Sequence, residues 1–431
     1  MLIEQIAKEA RTASFKLPEL AADDRVHALR NIKKHLTASA EDIFAANKID
    51  LENAKAESLS APLYNRLKFD DKKMKSVLDG IDSLLGLPDV VGETVFSRRL
   101  MDGLDLYRVT CPIGVLGVIF ESRPDALVQI AALCVKSGNA VLLKGGHEAI
   151  RTNRALFKCI YQAGIEAHLP EGWAALLESR EDVSEMLAQD KMIDLIIPRG
   201  SNAFVRYIMD HTHIPVMGHA DGICHVFVDE SADLDLAVKV CFDSKTQNYS
   251  VCNAAETLLV HRAIADAFLP KMKEAFDTKN VTIRGDADTR KTIVCEAAEE
   301  EDWSTEYLDG IISVKVVDSC EQAIDHINHY GSHHTDCIIT TDFASAHTFM
   351  QCVDSANVFL NCSTRFSDGF RYGFGAEVGI ATGKLHARGP VGVEGLCTYK
   401  YKLFGNGQTV SEVADGKLAF THVNTDESAP L

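Results

Sequence analysis

The stretch Asn248–His261 reads NYSVCNAAETLLVH. A small, polar approach ends at Cys252, and Asn253 with two alanines leads into the apolar run Thr257–Val260. That run is β-branched and leucine-rich, the composition of a buried strand. Cys252 is therefore expected on a loop or helix end just before a strand, facing a cleft. Loops held by a rigid scaffold concentrate catalytic residues, and a thiol is the most nucleophilic side chain near neutral pH. Most free cysteines are small buried hydrophobes, so the role of Cys252 has to be decided by the rest of the chain.

Outward from this stretch the chain alternates helices and strands. Downstream of residue 231 the pattern predicts helix 232–244, strand 256–260, helix 262–275, strand 311–317, helix 320–330, strand 336–340, helix 342–352 and strand 356–361. Upstream, strands are predicted at Val115–Phe120, Ala140–Lys144, Ala174–Glu178, Asp194–Pro198 and Ile223–Asp229. Pro124 opens a helix that Gly138 closes, and a second runs from His147 to Ala163 with Gly164 as its stop. Further helices are predicted at 181–189 and 201–210. Such alternation indicates right-handed crossovers and parallel, doubly wound sheets. Residues 1–95 read as helices, with Asp23 or Asp24 available as a cap. Arg98–Thr110 reads as a hairpin turning at Asp102-Gly103, a candidate edge for pairing with another subunit. Residues 362–399 are rich in glycine and aromatics and read as a long functional loop region. Leu396–Phe404 is a terminal strand followed by a polar tail.

The expected fold class is α/β, with two Rossmann-like units and a small β element for oligomerisation. Residues 1–97 and 111–230, with part of 385–395, are assigned to a cofactor-binding unit, and residues 231–384 to a catalytic unit. The hairpin 98–110 and residues 396–431 make the third element.

At 431 residues the chain suits two or three domains. Its net charge of −18, with no basic block, argues against nucleic acid or an anionic membrane as a partner. No apolar run approaches the ~18 residues of a membrane span, and the N-terminus does not have the pattern of a signal peptide. Twelve cysteines without CxxC spacing fit a reducing cytoplasm.

Two α/β units imply a cleft between them. No GxGxxG fingerprint is present. Pro198-Arg199-Gly200-Ser201-Asn202 lies between a strand and a helix, where backbone amides and the Ser201 hydroxyl can hold a pyrophosphate; Gly-Ser before a helix is also an ordinary cap. His326, His329, His333 and His334 gather at a helix end, where charge favours histidine. No cysteine or carboxylate joins them at ligand spacing, and no metal site is expected from them or from His211 and His213.

The segments PIGVLGVIFESRPD, SGNAVLLKGGHEA, LIIPRGSN, HADGICHVFVDESADLDLA, CNAAETLLVH and RFSDGFRYGFGAEVGIATGKLHARGPVGVEGL resemble the aldehyde dehydrogenase superfamily, in its branch acting on an acyl phosphate. The resemblance follows nearly the whole chain in order. It implies NADPH-dependent reduction of L-glutamyl 5-phosphate to L-glutamate 5-semialdehyde with release of phosphate, a step of proline biosynthesis. It further implies a homodimer or higher, and a glutamate 5-kinase as functional partner because the acyl phosphate is labile.

By this resemblance Cys252 is the nucleophile that expels phosphate and carries the acyl group as a thioester. Cys362 is the one other cysteine to watch. Hydrolytic relatives carry a water-activating glutamate where this chain has His219, Ala220 and Asp221; its loss protects the thioester, though Asp221 keeps a hydrolytic reading open. A catalytically silent scaffold is the third reading. The oxyanion-hole asparagine of the superfamily falls at Glu121-Ser122-Arg123-Pro124, which nominates Ser122 and Arg123 for the substrate. Asn361 and Arg365 would line the substrate end, with Arg371 and Arg388 as further arginines, some of them structural. Lys144 and His147 match positions at the adenosine ribose, and the lack of an acid at 147 removes a bar to NADPH. Glu306 matches the glutamate that holds the nicotinamide ribose. Gly200 and Ser201 complete the cofactor set.

Overall fold

In the computed structural model residues 2–179, 181–219 and 221–430 are described. Five helices come first, Ile3–Lys16, Ala22–Ala38, Ala40–Ala56, Ala61–Leu67 and Asp71–Gly86. Asp24 accepts a hydrogen bond from the Ala21 amide, so it caps the second helix from inside its first turn.

Strands β1 (Thr94–Met101) and β2 (Leu104–Pro112) form the expected hairpin, with Gly103 at φ +70° in the turn. Four parallel strands follow, β3 (Val115–Phe120), β4 (Ala140–Lys144), β5 (Ala174–Leu177) and β6 (Leu195–Arg199), in the order β5-β4-β3-β6. Every residue of β3 and β4 is buried, as strands covered by helices on both faces must be. The helix after β4 runs Ile150–Glu166, past Gly164. Gly164 is a packing residue instead of a stop, because a Cβ there would meet the Trp173 ring at 2.8 Å.

The second sheet has seven parallel strands in the order β10-β9-β11-β8-β7-β12-β13. They are β7 (Cys224–Val228), β8 (Ala255–His261), β9 (Thr282–Gly285), β10 (Glu296–Ala297), β11 (Ile311–Val317), β12 (Thr335–Ile339) and β13 (Asn357–Leu360). Strand β7, expected in the first unit by the boundary at 230, pairs with β8 and β12 in this second sheet. Its residues Val226 and Val228 pack with Leu258, Val260 and Cys337, which is why it belongs there. Strands β9 and β10 were not expected; they are short and polar.

Residues 362–396 carry only the two-residue strands β14 (Ile380–Ala381) and β15 (Gly389–Pro390) and single 3-10 turns. Ala376, Val378, Ala381 and Val391 pack into the core of the first sheet, so this loop ties the two α/β units together. Strand β16 (Cys397–Phe404) pairs with β2, and β17 (Val423–Thr425) pairs with β1. The segment read as a polar tail thus completes a four-stranded antiparallel sheet. Among the described residues no helix is long and apolar enough to cross a membrane.

His326 shows how the core constrains charge. It is 5% exposed, with His225, Trp303 and Tyr330 around its ring and the Lys315 ammonium 3.3 Å from Nδ1. Burial first, then His225, Lys315 and His329, push its pKa down to about 2. In the unfolded chain the group titrates near ~6.5. The folded state therefore keeps it neutral while the unfolded state takes up a proton, so its contribution is full above ~6.5 and is lost as pH falls. At pH ~5 the loss is about 2 kcal/mol. The drop in unfolding free energy between pH ~7 and ~5, measured by urea titration, should be smaller by that amount in His326→Gln.

Candidate active site

Three residues of the site precede three neighbouring strands of the second sheet. His219 lies before β7, Cys252 before β8 and His334 immediately before β12. Parallel pairing brings these N-terminal strand ends together, and the side-chain donor atoms of the three residues lie within 4.8 Å of one another. The rings of His219 and His334 meet edge to face with centroids 4.8 Å apart.

The loop holding Cys252 is fastened on both sides. Asn253 Nδ2 donates to the Ser367 carbonyl at 2.6 Å, and the Thr364 hydroxyl donates to the Asn253 carbonyl at 2.8 Å. From below, the Cys224 thiol donates to the Cys252 carbonyl at 3.2 Å. Burial pushes the Cys252 thiol up, but His334 and then His219 more than reverse this and hold it well below the ordinary thiol value. Burial likewise disfavours a charged His219; the Cys252 sulfur and the Ile380 carbonyl overcome that and raise it to about 9. Together these shifts favour a thiolate beside an imidazolium.

Cys252 and His219 open onto a cavity of about 840 Å³ between the two α/β units. Its other wall is built from the C-terminal ends of β3 and β6, with Glu121, Arg123, Arg199, Gly200 and Ser201. Arg365 also lines it, with Nε donating to Gln247 Oε1 at 2.9 Å. Arg66, from the fourth helix, lines it too and donates to the Ser250 carbonyl at 3.4 Å. Burial and the neighbouring Arg123 lower the pKa of both Arg66 and Arg199, the mark of cations crowded into one site. Four carboxyl groups line the cavity, those of Glu121, Glu306, Asp368 and Glu377. Glu306 accepts from Asn202 Nδ2 at 2.8 Å and is raised by burial, and Glu377, also chiefly through burial, is raised to about 7.

Of the residues nominated from sequence, Cys252, Arg123, Arg365, Gly200, Ser201 and Glu306 meet in this cavity. Ser122 and Asn361 do not. The Ser122 amide and hydroxyl both donate to Glu148, at 2.6 and 2.5 Å, and the residue is 2% exposed. Asn361 spends its side chain on the Thr340 backbone, accepting at 3.0 Å and donating at 2.9 Å. Arg388 pairs with Asp354 at 3.1 Å and Arg371 donates to the Arg365 carbonyl, so both are structural. Cys362, whose thiol is raised by burial, lies away from the cavity lining. Asp221 is held by Asn202 at 2.7 Å and Arg206 at 3.0 Å outside that lining, which removes it as a base. Ala220 lies outside the described residues.

Lys144 and His147 sit apart, at the C-terminal end of β4. Lys144 is buried and donates to the Gly145 carbonyl at 2.6 Å, whereas His147 is exposed. Because β4, β3 and β6 are parallel neighbours, Lys144 and Gly200 lie along one sheet edge, the place where dinucleotides are held in open α/β sheets. The position leaves no room for a side chain: a Cβ on Gly200 would meet Phe204 at 2.9 Å and Glu121 at 3.0 Å. The Ser201 amide donates to Glu121 at 3.2 Å, so the helix start expected to meet a pyrophosphate already faces one carboxylate.

Sequence reasoning passed over His334, Arg66, Arg199 and Glu377. Arg199 stood inside a motif already singled out, at the end of a strand, and its position was the available signal. The four clustered histidines disperse: His333 bonds the Asp354 carbonyl at 2.6 Å, His326 is in the core, and only His334 turns to Cys252.

Residues 1–302 match the sequence model of the aldehyde dehydrogenase family. A gamma-glutamyl phosphate reductase of Ruminiclostridium cellulolyticum is 59% identical over 422 residues, 98% of each chain. One from Acetivibrio thermocellus is 57% identical over 431 residues, the whole of both chains. The chain belongs to the aldehyde dehydrogenase family, in its gamma-glutamyl phosphate reductase branch. The crystal structure of the Thermotoga maritima gamma-glutamyl phosphate reductase superposes with TM-score 0.92 at 40% identity, covering 95% of this chain and all of that one. An engineered glycolyl-CoA reductase with bound NADP+ shares the fold at 15% identity and TM-score 0.66, covering 93% of this chain and 96% of that one. Membership makes the chain an oxidoreductase of a nicotinamide-using family.

Proposed function

We propose that the chain reduces L-glutamyl 5-phosphate to L-glutamate 5-semialdehyde with NADPH, releasing phosphate, in proline biosynthesis. The observation that carries this reading is a cysteine set between two imidazoles on the floor of an arginine-lined cavity. The Cys252 sulfur attacks the acyl carbon, the S–C bond forms, and the C–O bond to phosphate breaks with its electron pair leaving on phosphate. Thioester formation splits one hard step into two easier ones. The departing phosphate needs a proton, and His219, which lines the cavity beside the sulfur, is placed to give it. When bound, NADPH would supply the hydride that reduces the thioester carbon to a thiohemiacetal. Cys252 then leaves the thiohemiacetal as thiolate, and the two imidazoles stabilise it again.

No glutamate stands at the water-activating position and Asp221 is tied up, which favours acyl transfer over hydrolysis. Arg123 and Arg365, with Arg66 and Arg199, supply cations for a phosphate and an α-carboxylate. Arg365→Ala and Arg123→Ala should each lower kcat/KM by roughly 10- to 150-fold, about 1.5–3 kcal/mol for hydrogen bonds to a charged partner. Most of that loss should fall on KM for substrate, measured by steady-state kinetics.

The preference for NADPH rests on Lys144 and His147 at the sheet edge. The cofactor unit is read as ending before β7. A homodimer or higher assembly is supported by the free edge of β16, where Tyr399 and Tyr401 are more than half exposed. A cytoplasmic setting, with glutamate 5-kinase as the supplier of substrate, suits twelve free cysteines and a labile acyl phosphate. The reaction is tested in reverse, following NADP+ reduction by glutamate semialdehyde with and without phosphate. Turnover that requires phosphate is the expected result; turnover indifferent to phosphate would make the enzyme hydrolytic.

A further inference from the structure

We propose that Cys252, His219 and His334 form a binding site for a borderline divalent cation of the zinc class, which closes the enzyme reversibly. The inference rests on the reading of Cys252 as the nucleophile, because the ion takes the sulfur that the acyl group needs. The three donor atoms already lie within 4.8 Å of one another. A tetrahedral ion with bonds of about 2.0–2.3 Å holds its donors roughly 3.3–3.8 Å apart, so closure asks for side-chain shifts of about an ångström.

Both imidazoles are oriented as metal ligands are. His219 Nδ1 bonds the Ile380 carbonyl at 2.8 Å, which makes Nδ1 an N–H and leaves Nε2 as the nitrogen whose proton the ion would displace. His334 Nδ1 bonds the Thr335 hydroxyl at 2.8 Å and lies 3.6 Å from the Cys224 sulfur. Its Nε2 is buried with no hydrogen-bond partner, although the residue is 0% exposed. Metal-bound histidines are held in this way, by a partner on the nitrogen that does not bind the ion. One sulfur and two nitrogens with no carboxylate favour zinc, cobalt or copper over magnesium or calcium. The fourth position faces the cavity, where water or substrate would complete the tetrahedron. The proposed reaction requires no metal, so occupation of this site is inhibitory.

The test is a titration of the full-length protein with Co²⁺, without oxygen and with a non-thiol reductant. One equivalent should bind, giving a near-ultraviolet thiolate-to-cobalt band and the intense visible bands of a tetrahedral ion, both erased by Zn²⁺. Cys252→Ser should lose the charge-transfer band. Losing an outer partner of a ligand costs about 10- to 100-fold in affinity, so His334→Ala, which removes a ligand, should lose about 100-fold or more. His334→Gln and the far-ultraviolet spectrum check that the fold survives. Zn²⁺ should abolish turnover and a chelator restore it, with full activity in chelator alone. No charge-transfer band, or an affinity unchanged in both His334 variants, overturns the site. Cobalt bound through the thiolate in a protein that does not reduce the acyl phosphate would instead refute the proposed function and leave the site standing.

Discussion

Cys252→Ser is expected to lower kcat by about 10⁴-fold or more, with the cofactor still bound at near-normal affinity. The substitution changes one atom, so the packing of Asn253 on Ser367 and of Thr364 on Asn253 is kept. What is lost is the acidity of the group. His334 and His219 bring a thiol down to a thiolate against the opposing effect of burial, but a hydroxyl begins far too high for the same two imidazoles to ionise it. Without an anion no thioester forms. Gly200, Ser201 and Glu306, the residues proposed for the cofactor, belong to other segments and are untouched. Single-turnover oxidation of NADPH and a fluorescence titration of its binding separate the two effects. Retention of more than a hundredth of the rate would remove Cys252 from the nucleophile's role.

Much of this arrangement was legible because local sequence and global fold agree. An unbroken apolar run after Cys252 marks β8, and a motif between strand and helix marks Gly200 and Ser201. Strands β3, β4 and β11 fell where their composition placed them. His334 was not legible, and the reason is strand order. It reaches Cys252 only because β12 pairs with β7 and β7 with β8, so that residues 82 positions apart in the chain become neighbours across three strands. Nothing local announces that order, and a histidine among three others at a helix end looks like a solvated cluster. Arg66 escaped for the same reason, since an N-terminal helix gives no sign that it roofs a site built nearly two hundred residues later. Ser122 and Asn361 failed in the opposite direction. Their residue types suit substrate binding, but both have positive φ, 38° and 57°, and spend their polar atoms holding the turns that aim their neighbours. For Ser122 that neighbour is Arg123, which lines the cavity while Ser122 itself does not.

The boundary between the units has a similar cause. Read along the chain, β7 continues the alternation of the first unit, and only its side-chain neighbours assign it to the second sheet. The consequence for function is considerable. With β7 in the second sheet, Met217–His219 and Asp221–Gly222 lead into it as a strap, with His219 lining the cavity beside the sulfur and Gly222 packed against Cys252.

Gly222→Ala should therefore lower kcat by about 100-fold while leaving a folded protein. A Cβ at this position would lie 2.3 Å from the Cys252 carbonyl oxygen, 2.5 Å from its Cα and 2.6 Å from its Cβ. Two of the three are backbone atoms of the catalytic loop, which Asn253 and Thr364 pin from the far side, so no flexible side chain can absorb the clash. Either the strap or the loop must move by about an ångström, and a displacement of that size at a reacting group costs about 100-fold in rate. The strap also positions Glu306, toward which the Gly222 amide donates, so the cofactor side is disturbed together with the thiolate. Overpacking of this kind destabilises by about 1–3 kcal/mol, a small part of what holds two cores of this size. Gly80→Ala is the matching control, a helix position where a Cβ meets nothing within 4 Å. Comparing kcat, melting temperature and the rate of Cys252 alkylation in the two variants decides the matter. Equal rates would show that the loop yields freely and that its position relative to the strap is not what sets the nucleophile.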